Sequence, residues 1–248
     1  MLVRFLLATL VAGLFVGVVM TPIQYMRVVP LILHAEAYEN GGPGIEPAHH
    51  HDAGLVSSAS AHGVDGKVIL AHVPAGGAEA NPALFESRLL GTLAANIVTG
   101  AGFALMLAAV AMLTGRRITA QNGALWGLAG FGAVALAPAL GLPPELPAMP
   151  AADLTLRQTW WIMTVGLTAI GLYCLILRRE TALRVAGVAL LVVPHLFAAP
   201  HPADLSSPIP PTLAAEFAVA SLATGALFWV LIGLSVGFAQ DRMLRAEG

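Results

Sequence analysis

Six long apolar stretches, almost free of charge, dictate what this chain can fold into. A helix that crosses about 30 Å of hydrocarbon needs about 20 mostly apolar residues, and only helices and closed barrels satisfy their backbone polar groups there. That length marks helices at about 5–26, 89–114, 118–140, 158–177, 183–199 and 213–240. Arg4, Arg27, Gly115-Arg116-Arg117, Arg178-Arg179 and Arg242 punctuate them. Hydrophobic residues make up 57% of the 248 and charged residues 10%, more apolar surface than a water-soluble domain of this size buries. The expectation is an all-α integral membrane protein, a single polytopic domain with a bundle of about six transmembrane helices. The segment 183–199 is the shortest and carries Pro194 near its end.

Arg4 followed by an apolar run also fits a signal peptide. The small-x-small site downstream, Ala35-Glu36-Ala37, lies well beyond the usual distance from the apolar core, so the first segment reads as an uncleaved anchor. Orientation follows from Lys and Arg, which concentrate on the cytoplasmic side. With the N-terminus inside, that side holds Arg4, Arg116, Arg117, Arg178, Arg179, Arg184, Arg242 and Arg245, and the outer side holds Arg27, Lys67, Arg88 and Arg157. Both termini are expected in the cytoplasm. Residues 41–80, rich in Gly, Ala, Pro and Ser, read as part of a long flexible outer loop.

That topology sends all eight histidines to the outer face or its edge. His34, Glu36, Glu39, Glu46, the run His49-His50-His51-Asp52, His62 and His72 precede the second helix. Glu145 and Asp153 follow the third, and His195, His201 and Asp204 close the fifth. Imidazole and carboxylate suit borderline divalent metals such as cobalt, nickel and zinc. Three adjacent histidines in extended backbone point to alternate sides, so His49, His50 and His51 suit loose capture or a merely solvated run. His195 and His201 stand among Pro194, Pro200 and Pro202, whose rings restrict the backbone, and Asp204 lies three residues beyond His201. The expected outer metal site comprises His201 and Asp204 with Glu145 or Asp153. Arg157, four residues after Asp153, is a competing partner for that carboxylate. A lone histidine at a helix end also serves as an ordinary satisfied polar group.

Other chemistries are missing from the sequence. A net charge of −2 with no basic face gives no footprint for nucleic acid. Neither a phosphate-cradling G-x-x-x-x-G-K-[ST] loop nor H-E-x-x-H or G-x-S-x-G occurs, so no enzyme is expected. Cys174 alone supports no disulfide framework. Glu216, one turn inside the sixth helix, is stabilised by the helix N-terminus. Gly13 with Gly17, Gly123 with Gly127 and Gly233 with Gly237 are spaced for close helix contact in lipid. Trp160-Trp161 and Tyr25 read as interfacial anchors.

Three stretches carry a resemblance to a known family: MLVRFLLATLVAGLFVGVVMTPIQYMRVVPLILHAEAYE, APALGLPPELPAMPAADLTLRQTWW and VVPHLFAAPHPAD. The chain resembles the CbtA family of probable cobalt transporter subunits, and the central stretch is the most specific. The resemblance implies cobalt uptake across a bacterial inner membrane, linked to cobalamin metabolism, alongside a small single-span, histidine-bearing CbtB subunit. By position it implicates Glu145, Asp153, Arg157, Gln158, His195, His201 and Asp204; the histidine-rich loop is a variable part of such proteins.

The leading expectation is a bundle in lipid that collects a divalent metal, cobalt by the resemblance, at its outer face and passes it inward. No prosthetic group is expected. One charge falling through 100 mV releases about 2.3 kcal/mol, so a divalent cation gains about 4.6, roughly three decades of concentration. A non-conducting metal-binding scaffold or sensor is the first alternative. A haem or metal membrane enzyme using His195 and His201 is the second.

Overall fold

The computed structural model describes residues 2–39 and 82–247, and every regular element among them is helical. Helix α1 spans Leu2–Arg27, α2 Val29–Glu39 and α3 Pro82–Leu113. A composite helix follows: α4, Gly123–Phe131, runs into a π turn, Gly132–Leu136, and then into α5, Ala137–Ala139. Leu154–Leu177 forms α6, Thr181–Leu196 α7 and Pro211–Glu247 α8.

Four of these contain stretches long and apolar enough to cross a membrane: Val3–Arg27, Ser87–Leu113, Leu154–Leu177 and Pro211–Arg245. The other two expected spans are shorter, Gly123–Ala139 and Thr181–Leu196, about 26 and about 24 Å at 1.5 Å per residue. Local chemistry shortens both. Asn122 accepts from the Thr119 N–H and donates to the Arg117 carbonyl, so a side-chain-bonded turn replaces helix before Gly123. Pro194 lies two residues before α7 ends and Pro200 follows, which stops helix short of 199. Conversely α6 begins at Leu154 because the Asp153 carboxylate accepts from the Leu156 N–H at 3.0 Å, an N-cap.

Helix α2 corrects the reading of His34, Glu36 and Glu39 as loop residues. Arg27 was read as the end of the first segment, yet the chain stays helical beyond it, because Pro30 falls in the first turn of α2, where its missing N–H costs nothing. The chain bends and continues.

Packing divides the helices into a group of four and a hairpin. Helix α1 lies against α3 and α8, α4 lies against α8, and the α6–α7 hairpin meets the group through the π turn and α5. The core of the four joins Val16 and Met20, Ala104 and Leu107, Phe131, and Trp229, Ile232 and Val236. Phe103 stacks on Trp229 with ring centroids 4.4 Å apart. Glycine sets the close crossings: a methyl on Gly13 would overlap the Gly100 carbonyl oxygen, and one on Gly233 that of Gly123. The three glycine pairs legible in the sequence all lie at such contacts, at the crossings of α1 with α3 and of α4 with α8, and Gly171 against Gly187 adds a third crossing, between α6 and α7. Val11, Phe15, Val98, Ile162, Ile176 and Val219 stay exposed, an apolar exterior suited to lipid.

These antiparallel contacts give the bundle two ends. Arg4, Arg116, Arg117, Arg178, Arg179, Arg184, Arg242 and Arg245 gather at one, and among the described residues Arg27, Arg88 and Arg157 stand at the other. The second is the α2 end. It has its own small core, in which Ala35 of α2, Leu146 of the loop before α6, and Ile209, Leu213 and Phe217 around the start of α8 pack together.

Candidate functional site at the α2 end

The expected metal ligands, except His49, His50 and His51, which lie outside the described residues, all fall at the α2 end. Most already have partners. The loop between α5 and α6 turns at Leu146–Met149, where the Met149 N–H donates to the Leu146 carbonyl and Ala148 takes a φ of 63°. Glu145, just before this turn, accepts from Arg157 of α6 at 2.8 Å, a half-buried ion pair. The competing pairing of Arg157 with Asp153 is not formed: the partner of Arg157 is Glu145, while Asp153 is occupied as the cap of α6.

Asp204 accepts from both the backbone N–H and the hydroxyl of Ser206, each at 2.8 Å. Those two donors hold its carboxyl below the ordinary aspartate value of 3.8, because they stabilise the charged form. Glu36 of α2 forms a two-bond pair with Arg88 of α3, at 3.0 and 2.6 Å, a fork geometry that joins these helices across the α2 end. His34 lies beside Tyr38, with centroids 6.1 Å apart.

Two cavities open here, on either side of the π turn and α5. One, of about 1110 Å³, is lined by Pro138, Glu145, Arg157, Gln158, Trp161 and Ser221 among others. The second, of about 690 Å³, is lined by Gly141, Trp160, Thr168, Leu191, His195 and His201 among others. The structure thus separates the expected set: His195 and His201 share a cavity, Glu145 belongs to the other, and Asp153 and Asp204 line neither. Among the described residues no three His, Cys, Asp or Glu side chains gather closely enough to hold a metal.

The second cavity, lined by Trp160 and Thr168, and the buried Thr164 between them on α6 hold groups that the sequence reading missed. Trp160, read as an interfacial anchor, is 6% exposed, its indole edge-on to His195 at 6.1 Å between centroids. Gly141 makes room for that ring, since a methyl there would come within 2.5 Å of Trp160 Cη2. Thr164 and Thr168 continue the same face of α6 at four-residue spacing and are 0% and 3% exposed. Trp160 Nε1, Thr164 Oγ1 and Thr168 Oγ1 are all buried without a hydrogen-bond partner in the protein. The W-x-x-x-T-x-x-x-T spacing was the available signal.

No curated protein and no solved structure matches the chain. A family match does, and it covers nearly the whole described bundle: over residues 2–241 the chain belongs to the CbtA family, described as probable cobalt transporter subunits.

Proposed function

We propose that this protein carries divalent cobalt inward across a bacterial inner membrane for cobalamin metabolism, as a six-span, N-in/C-in subunit working with a single-span, histidine-bearing CbtB-like partner. The family match over residues 2–241 carries this reading. The arginine-rich end faces the cytoplasm by the preference of basic residues for that side, and the α2 end faces outward. There His49, His50 and His51 capture metal, and His195 and His201, which share a cavity, receive it, with Asp204 joining only by moving toward them from the following loop. Asp204 stays anionic to low pH because Ser206 donates to it twice. Glu145 and Asp153 join the site only by exchanging their present partners, Arg157 and the Leu156 N–H, for the metal. The membrane potential supplies about 4.6 kcal/mol per 100 mV for a divalent ion.

The test is uptake of radiolabelled cobalt into proteoliposomes, with and without the partner, for wild type and for His201→Ala and His201→Gln. A ligand role predicts normal abundance with lost affinity in both variants; normal affinity in both rejects coordination by His201. In the scaffold alternative, as in the transport reading, a partner supplies the remaining ligands, because no three-ligand cluster forms among the described residues. A scaffold binds cobalt and moves none. The enzyme alternative requires a Soret band in purified protein if His195 and His201 bind haem.

A further inference from the structure

Hydroxyl and indole groups buried in a membrane bundle cost free energy unless something satisfies them. Thr in a helix ordinarily escapes this cost by bonding the carbonyl four residues back, as Thr21, Thr92, Thr159 and Thr224 do here. Thr164 and Thr168 do not, and neither does the Trp160 N–H find an acceptor in the protein. Three consecutive positions on one face of α6 therefore remain unpartnered, and Trp160 and Thr168 line the cavity that also holds His195 and His201.

The backbone around this face is also short of helical hydrogen bonds. The contacts of Gly171 with Gly187 and of Trp160 with His195 fix the antiparallel register, placing Thr164 and Thr168 level with the part of α7 between Gly187 and His195. Pro194, fully buried there, supplies no N–H to the carbonyl one turn earlier. The composite helix contacts α6 through its π turn and α5, and Pro138 in α5 likewise supplies none. π turns of this kind recur at functional sites.

We propose that Trp160, Thr164 and Thr168 form a polar lane, packed shut in this structure and with its mouth at the cavity of His195 and His201, that admits water when α6 and α7 part and carries a hydrated divalent cation from the α2 end toward the middle of the membrane. A hydroxyl both accepts from the waters of a hydrated cation and donates to a neighbouring water, and the Trp160 N–H donates to a water at the mouth. The cation in this statement rests on the proposed function; the water does not, and the two are tested separately.

Water access is read in a Cys174→Ala background by labelling Thr168→Cys with a small cationic methanethiosulfonate added from the α2 side of intact membranes. Leu205→Cys, exposed in the loop before α8, and Ile170→Cys, 54% exposed on the apolar exterior, serve as controls. The lane predicts labelling at Thr168→Cys and Leu205→Cys, slowed by cobalt at Thr168→Cys, with Ile170→Cys unreactive. Resistance at Thr168→Cys while Leu205→Cys reacts overturns it. For passage, Thr164→Val with Thr168→Val keeps side-chain volume and removes both hydroxyls. Cobalt uptake should fall by about tenfold or more, the loss expected when hydrogen bonds to a charged species vanish, while cobalt bound at the outer face is unchanged. Unchanged uptake at normal abundance overturns passage; Thr164→Ser with Thr168→Ser, which retains both hydroxyls, should restore it. If wild type moves no cobalt yet Thr168→Cys labels, the transport reading fails and the water lane stands.

Discussion

Replacing Gly233 by alanine tests the crossing of α4 and α8 on which the four-helix group depends. A methyl carbon built there would overlap the Gly123 carbonyl oxygen and come within 2.8 Å of the Gly127 nitrogen, where ordinary contact begins at 3.4 Å. Both obstacles are backbone, so no side chain can swing aside. Relieving the nitrogen alone separates the helices by about 0.6 Å, and a gap of that size forfeits about a quarter or more of the dispersion attraction across the contact. Overpacking of this kind costs about 1–3 kcal/mol, or several degrees of thermal midpoint in a chain of this length. The internal control is Gly225→Ala on the same helix, whose methyl would meet only Phe131 Cε2 at 3.6 Å. With room available, alanine there should be neutral or stabilise by up to about 1 kcal/mol through helix propensity. Thermal unfolding in detergent, followed by circular dichroism, measures both. Equal midpoints for the two variants, or a loss at Gly225→Ala as large as at Gly233→Ala, would refute the crossing.

Three further outcomes follow from the α2 end. A reporter fused after Arg245 should read cytoplasmic and one near Gly63 external; a cytoplasmic result near Gly63 removes the proposed outer metal face. Replacing His49, His50 and His51 with alanine should weaken cobalt uptake when metal is scarce and matter little when it is plentiful, and uptake lost at every concentration would instead place the loop in the pathway. Ser206→Ala removes one of the two donors that depress the Asp204 carboxyl. A depressed carboxylate keeps its charge to lower pH, so this variant should lose cobalt binding at a higher pH than wild type as the solution is acidified. Identical acid limbs would dismiss Asp204 as a ligand.

The sequence by itself determined the class of fold. Uncharged runs such as Leu89–Thr114 leave the backbone no alternative to helix in lipid, and the three glycine pairs announced their crossings because close approach in lipid selects the smallest residue. It also determined which end collects arginine. Helix ends were less legible, since Asn122 and Asp153 act through side-chain bonds to the backbone that apolar runs do not reveal, and Pro30 reads equally as a stop or as the first turn of a new helix. Only the tertiary structure decided which polar groups meet. Spacing offered Arg157 to Asp153, but the loop turn at Leu146–Met149 brings Glu145 to it from twelve residues away. Trp160 and Trp161 are adjacent in sequence and were read alike, yet the rotation between neighbouring positions on α6 turns one into the cavity beside His195 and leaves the other 40% exposed. Whether a helical threonine is satisfied depends on its rotamer and on what packs beside it, so Thr164 and Thr168 acquire their meaning only when α7 and the π turn close over them.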